Sequence, residues 1–281
     1  MDDAFAMADR IIRQALEEDI GPGDVTTAAV LDPLLEGEAC LIVREDVILA
    51  GMPMFERVFR ELDPAVACES FYSDGDPVPP GRTVCILRGR LAPLLKGERT
   101  ALNFLQRMTG IATLTRRYVA AVKPFPVQIL DTRKTVPGLR VFDKYAVRAG
   151  GGRNHRFGLS DGILIKDNHI AAAGGVRNAV LRAWEIAPHT LKIEVEVEDL
   201  AGVEEACEAG ADIILLDNMS PEQLTEAVDL IQGRTLIEAS GGITLETVRD
   251  TAATGVHMIS VGALTHSPKA ADLSLEITRT I

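Results

Sequence analysis

The sequence predicts an α/β chain in two parts, an α+β segment followed by parallel strands joined by crossover helices. Three observations carry this. Aromatic residues are only 4% of the 281 positions while hydrophobic residues are 47%, so Val, Ile, Leu and Ala build the core, which favours α/β over an all-β sandwich. Short apolar runs recur from residue 127 onward, the last four roughly 20–23 residues apart, the period of a βα unit. Each of these runs ends in polar or Gly-rich residues, as expected of strands whose C-terminal ends share one mouth.

Taken in order, residues 4–17 place Ala8, Ile11, Ile12, Ala15 and Leu16 at helical spacing before Gly21-Pro22-Gly23 stops the pattern, which predicts an amphipathic helix. Up to about residue 90, the runs 40–43, 47–50 and 84–87, the turn-rich stretch 75–81 and a helix around 53–62 form the α+β segment. Residues 93–122 are helical in character. The runs 127–130, 162–165, 191–197, 212–216, 235–239 and 257–261 then read as strands, with helical segments between the later ones. Six such units make either an open doubly wound sheet or a closed or partly closed barrel, and the periodicity fits both.

The formal charge of −12 disfavours a nucleic-acid coat or an anionic membrane surface as partner. Residues 131–169 nevertheless carry eight Lys or Arg against four Asp, a net +4, leaving −16 for the remainder. A cationic basin in an acidic protein suits a compact polyanion, because Arg pairs bidentately with carboxylate or phosphate. Arg140, Lys144 and Arg148 fall at four-residue spacing on a helix beginning near Pro137 and read as a solvated face. Arg133, Lys134, His155, Arg156 and Lys166 are therefore the candidate anion ligands.

Later strands end at Glu196, at Asp217-Asn218, at Ser240-Gly241-Gly242 and at Gly262. A helical run over 244–253 follows the Ser-Gly-Gly turn, so backbone N–H groups at a helix N-terminus would offer a phosphate cradle, with Gly262 a second close approach. Cys40, Cys68, Cys85 and Cys207 lack a CxxC pair or a nearby His and read as reduced, buried thiols. The opening MDDAFAMADR lacks a basic-then-apolar leader, and no apolar run reaches the ~18 residues of a membrane span, so a cytoplasmic location is expected. GxxxxGK[ST], GxGxxG opening a helix and HExxH are all absent, which disfavours P-loop, Rossmann and zincin chemistry.

DTRKTVPGLRVFDKYAVRAGGGRNHRFGLSDGILIKDNHI at 131–170 resembles the quinolinate phosphoribosyltransferase family. So do EDIGPGDVTT at 18–27, GERTALNFLQRMTGIAT at 97–113, EVEVED at 194–199, AGADIILLDN at 209–218, IEASGGI at 237–243 and ISVGALTHS at 259–267. The resemblance implies an N-terminal α/β sandwich domain over 1–108, completed by 267–281. An incomplete βα barrel of the type II phosphoribosyltransferase class follows over 109–266. It further implies transfer of phosphoribosyl from phosphoribosyl pyrophosphate to quinolinate with decarboxylation, giving nicotinate mononucleotide, pyrophosphate and CO2 for NAD biosynthesis, with Mg2+ accompanying the pyrophosphate.

By the same resemblance Lys134, Lys166, Glu196 and Asp217 are catalytic, and Glu196 and Asp217 also reach the metal, directly or indirectly. Thr132, Arg133, His155 and Arg156 bind quinolinate, with His155 counted among the fixed cations, and Arg99 arrives from a neighbouring subunit. Ser240, Gly241, Gly242, Gly262 and His266 hold the 5′-phosphate. The implied assembly is a homodimer or higher homo-oligomer with shared active sites, without nucleic acid or membrane. Two alternatives are a related molybdenum-operon protein of unassigned substrate and a non-catalytic anion-binding protein on the same fold. The intact DTRKT, NHR and LIKDNH blocks favour quinolinate.

Overall fold

The computed structural model describes residues 2–281. In chain order the elements are α1 (Asp2–Ile20), α2 (Val25–Val30), β1 (Glu36–Val43), β2 (Val47–Ile48), α3 (Met52–Leu62), β3 (Ala67–Ser70), β4 (Pro77–Val78), β5 (Thr83–Arg90) and α4 (Leu91–Ala121). Then follow β6 (Gln128–Leu130), α5 (Arg140–Ala149), β7 (Ile163–Ile165), α6 (Asp167–Ala173), α7 (Val176–Ile186), β8 (Ile193–Val197) and α8 (Leu200–Glu208). Last come β9 (Ile213–Asp217), α9 (Pro221–Ile231), β10 (Leu236–Ser240), α10 (Val248–Ala253), β11 (Met258–Ser260), α11 (Ala263–His266) and β12 (Leu273–Thr280). Two compact units result: one takes the chain up to Arg116, Thr135–Gly151 and Thr265–Ile281, the other Arg117–Lys134 and Gly152–Leu264. The division expected at 108/109 falls inside α4, and residues 135–151 group with the first unit.

The first unit is built on the antiparallel sheet β12-β1-β5-β3. Alternation along β1 turns Ala39, Leu41 and Val43 inward, each fully buried, and β12 pairs along β1 from Gly37↔Thr280 to Val43↔Leu273. In α1 the buried Ala8, Ile12 and Leu16 repeat every fourth residue and form the apolar stripe. Helix α5 departs from the expected solvated face. Lys144 is only 3% exposed, and of the four-residue row only Arg148 is exposed. Its neighbour Asp143 is fully buried and accepts Nε and Nη2 of Arg107 at 2.8 Å each, while the same Nη2 reaches Thr265 O at 2.9 Å. The bidentate partner satisfies both oxygens of this buried carboxylate. The four thiols are free, but only Cys85 is buried; Cys40, Cys68 and Cys207 are half-buried.

In the second unit the six strands run parallel in the order β6-β11-β10-β9-β8-β7. That order decides between the two architectures the periodicity allowed. Strands β7 to β11 lie side by side in chain order and β6 joins β11, which is the circular order of a barrel with the β6–β7 join left open. A doubly wound sheet would instead reverse from an internal strand. Arg153 lies along the open edge of β6, its N–H donating to Ile129 O at 2.9 Å and its carbonyl accepting from Asp131 N–H at 3.2 Å. One parity of each strand is apolar: Ile193, Val195, Ile214, Leu216, Ile237 and Ile259 are at most 1% exposed. Each such burial is worth roughly 1.5–3 kcal/mol, so this parity fixes the register. Among the described residues no helix is long and apolar enough to cross a membrane.

Candidate active site

Because side chains alternate along a strand, fixing the apolar parity also fixes what the other parity presents. Glu196 of β8, Leu215 and Asp217 of β9, Glu238 and Ser240 of β10, and Ser260 of β11 line one cavity of about 470 Å³, together with Leu164 just before the end of β7. Thr132, Arg133 and Lys134 beyond β6, His155 and Arg156, and Lys166 beyond β7 complete it. Nine residues singled out from sequence thus meet in one place, at the carboxyl ends of parallel strands.

Local structure sets each group. Lys166 is the N-cap of α6, its backbone N–H donating to His169 Nδ1 at 3.0 Å, and its ammonium pairs with Glu196 Oε2. Thr132 Oγ1 accepts the Lys134 N–H at 3.0 Å, and both Arg133 and Lys134 are exposed at the mouth. Asp131, fully buried, accepts Asn154 Nδ2 at 2.6 Å and the His155 N–H at 2.8 Å. That grip holds the Asn-His-Arg segment in place. Arg156 Nη1 donates to Gly162 O at 3.0 Å, whereas its Nε is buried with no hydrogen-bond partner. Burial, and then the charge of Arg133, hold its pKa below the usual arginine range. Two crowded cations and a desolvated donor favour an incoming anion.

The resemblance counts His155 as a cation, and the geometry differs. Its Nδ1 accepts the Arg156 backbone N–H at 2.8 Å, while Nε2 stands 3.0 Å from Glu194 Oε2 and 3.8 Å from Glu238 Oε1. A nitrogen that accepts an N–H carries no proton, so in this arrangement the ring is a neutral imidazole protonated on Nε2. Burial, reinforced by the charge of Glu194, pushes the Glu238 carboxyl up to about 7. These three side chains form the cluster among the described residues whose ligand atoms lie within 4.8 Å of one another. The expected metal pair is elsewhere, with Glu196 against Lys166 and Asp217 Oδ2 accepting Asn218 Nδ2 at 2.7 Å. Both are partly exposed carboxylates, hard oxygen donors of the kind that suit Mg2+.

The Ser-Gly-Gly turn also differs from expectation. Helix α10 starts only at Val248, after a turn in which Thr247 Oγ1 accepts the Thr244 N–H at 3.0 Å, so no helix N-terminus follows Gly242 directly. Ser240 Oγ accepts the Ser260 hydroxyl at 3.0 Å. Gly241, at φ +91°, leaves no room for a side chain: a Cβ would lie 2.2 Å from Asn218 Oδ1. Gly242, at φ +61°, faces open space. The three glycines Gly241, Gly242 and Gly262 do not line the cavity. Arg99 is exposed on α4, and His266 ends α11 with Nδ1 2.5 Å from Ser267 Oγ; both belong to the first unit.

Sequence reasoning missed Asp131, Glu194, Glu238 and Ser260. A signal existed for two of them. Glu194 and Glu238 each stand two residues before a predicted site residue, Glu196 and Ser240, and therefore on the same side of their strands. An acid embedded in the apolar runs KIEVEV and LIEAS was the visible anomaly.

The sequence matches the family models described as quinolinate phosphoribosyl transferase, N-terminal domain, over residues 24–109 and C-terminal domain over 111–276. A Bacillus subtilis protein named probable nicotinate-nucleotide pyrophosphorylase (carboxylating) is 44% identical over 269 residues, spanning 96% of this chain and 93% of that protein. Quinolinate phosphoribosyltransferase (decarboxylating) 1 of Nicotiana glauca is 46% identical over 286 residues, spanning 95% and 81%. The crystal structure of NadC from Streptococcus pyogenes superposes with a TM-score of 0.93 at 45% identity, covering 96% of each chain.

Proposed function

The chain belongs to the quinolinate phosphoribosyltransferase family, and we propose that its strand-end cavity joins quinolinate to the phosphoribosyl group of phosphoribosyl pyrophosphate and then releases CO2. The observation that carries this is the meeting of Arg133, Lys134, Arg156 and Lys166 with Glu196 and Asp217 in one cavity of a protein whose net charge is −12. Quinolinate is a planar dicarboxylate. Arg133 and Arg156 clamp it, Thr132 and His155 shape its seat, and Arg99 of a neighbouring subunit completes the clamp. Lys134 and Lys166 balance the remaining anionic charge. Ser240, Gly241, Gly242, Gly262 and His266 hold the 5′-phosphate.

As the ring nitrogen attacks C1 of the ribose, the C1–O bond to pyrophosphate breaks and positive charge develops on the sugar. Glu196 and Asp217 stabilise that charge, while the lysines stabilise the leaving group. Glu196 and Asp217 would hold Mg2+, directly or indirectly, and the ion would supply charge neutralisation for pyrophosphate. The alkylated ring then accepts the electron pair of the breaking C–CO2 bond, and a proton replaces the carboxylate. This reading includes a cytoplasmic homodimer or higher homo-oligomer with shared sites. The test is to supply quinolinate or nicotinate separately with phosphoribosyl pyrophosphate and Mg2+ and to measure nicotinate mononucleotide and CO2. Quinolinate should be consumed with CO2 release and nicotinate poorly, because a site for two carboxylates leaves donors unpaired when one is missing. Equal turnover of the two acids overturns the assignment.

A further inference from the structure

Glu238 of the cavity lining and Glu194, which approaches the same histidine, are two acids for which neither substrate clamping nor leaving-group stabilisation has a use. Glu194 and Glu238 are 6% and 1% exposed beneath a site read as binding a dianion, where negative charge opposes the ligand. Each leaves its Oε1 buried with no hydrogen-bond partner. What they share is His155, whose Nε2 stands 3.0 Å from Glu194 Oε2 and 3.8 Å from Glu238 Oε1. Its other ring nitrogen accepts the backbone N–H of Arg156 at 2.8 Å.

This bond also tells against a metal ion among the three side chains. A histidine that coordinates through Nε2 keeps its proton on Nδ1 and donates it onward. Here Nδ1 faces a donor, so Nε2 must carry the proton and aim it at the carboxylates. The cluster has the polarity of a holder for one imidazole.

We propose that Glu194 and Glu238 are positioning residues for quinolinate binding: Glu194 accepts the His155 Nε2–H at 3.0 Å and Glu238, 3.8 Å away, adds negative charge on the same side of the ring, which together favour the Nε2–H tautomer whose Nδ1 lone pair holds the backbone of Arg156. The inference rests on reading the cavity as the quinolinate site. The path is short: the carboxylates fix the ring, the ring fixes the Arg156 N–H, and Gly162 O fixes one guanidinium nitrogen from the far side at 3.0 Å. The buried, partnerless Nε of Arg156 is thereby held as a donor for a ligand carboxylate. With amides in place of the acids, the ring can turn over and the fork loses its aim.

Two measurements test this on the full-length protein. Long-range 1H–15N correlation spectra of 15N-histidine-labelled wild type, with His155 assigned by loss of its signals in His155→Asn, should show a protonated Nε2 and an unprotonated Nδ1. A proton on Nδ1, or a ring averaged between tautomers, overturns the proposal without any need for a carboxylate variant to fold. In Glu194→Gln and Glu238→Gln the tautomer signature should be lost and KM for quinolinate should rise about tenfold or more, since small misplacements of a binding group carry costs of that size or larger. KM for phosphoribosyl pyrophosphate should stay within about twofold of wild type, well inside that effect. Equal changes in both KM values, or a raised quinolinate KM with the tautomer intact, overturns it. Arg156→Lys in the same assay separates the two readings. If it leaves quinolinate KM unchanged, the site assignment fails; if it raises KM while the glutamine variants do not, only the positioning role fails.

Discussion

In the antiparallel sheet β12-β1-β5-β3, neighbouring strands finish at opposite edges, so polar residues at strand ends are dispersed. In the parallel sheet every carboxyl end lies on one side, and one or two residues from each of five strands, with their loops, reach one cavity. The buried charges of the two units differ in the same way. In the first, each buried acid has its own partner: Asp143 takes both arms of Arg107, and Asp63, 4% exposed, takes Arg90 at 2.7 Å. In the second, Glu194, Glu238 and Arg156 keep buried polar atoms without partners. A satisfied buried charge belongs to the architecture. The unsatisfied ones gather around His155 and Arg156, and of them the Arg156 Nε is the donor left for a ligand.

That contrast can be broken by experiment, most forcefully at Arg107. Arg107→Ala strands the Asp143 carboxylate and should cost about 3–5 kcal/mol of stability, read from urea unfolding, with KM for quinolinate unchanged in the folded fraction. Lys166→Ala should do the reverse, lowering kcat about 10²–10³-fold with little shift in melting temperature. An unfolded Lys166→Ala protein would erase the distinction. The same variant sharpens the intersubunit reading: mixed with Arg99→Ala under subunit exchange, it should recover about a quarter of wild-type activity, as random pairing across a two-fold interface requires.

Glu238 gives the next effect, and it depends on pH. Its carboxyl is raised to about 7 in the folded chain from the ordinary glutamate value of 4.5, so between these values the folded state binds more protons than the unfolded state. Its stabilising contribution is complete below the unfolded value and is lost as pH rises through 7, by about 3 kcal/mol at most. Glu238→Gln should therefore lose less stability than wild type between pH 5 and pH 8 in urea titrations. A parallel decline would show that Glu238 does not titrate there. The smallest effect is expected at Gly242→Ala, where space is open and only the left-handed backbone resists, at roughly 1–2 kcal/mol. A much larger loss in thermal denaturation would reveal packing at that turn.

Local features of this fold were legible and circular closure was not. Apolar runs marked all six parallel strands, because one parity of these strands is buried Val, Ile and Leu. The pairing of β6 with β11 joins residues about 130 positions apart in sequence, and periodicity carries no such information. Lys144 was misread because four-residue spacing of basic residues is shared by solvated faces and by a helix whose lysine is enclosed. The helix expected from 244 begins at Val248 because Thr244 and Thr247 spend their groups on each other in a turn. Site residues at strand ends stood out against apolar neighbours. Glu194 and Glu238, inside the runs, needed the parity of the strand to be taken as seriously as its hydrophobicity.

A closed barrel has its circumference fixed by strand number and shear. This ring is fastened by a clasp instead, with Arg153 hydrogen-bonded to the rim of β6, Asp131 gripping the next two residues, and the segment then running into β7. The stretch between Arg156 and Ile163 lies outside the strand ladder, yet its Gly162 carbonyl holds the Arg156 guanidinium, so a change of length there would act on the aim of Arg156 before it acted on the register of any strand.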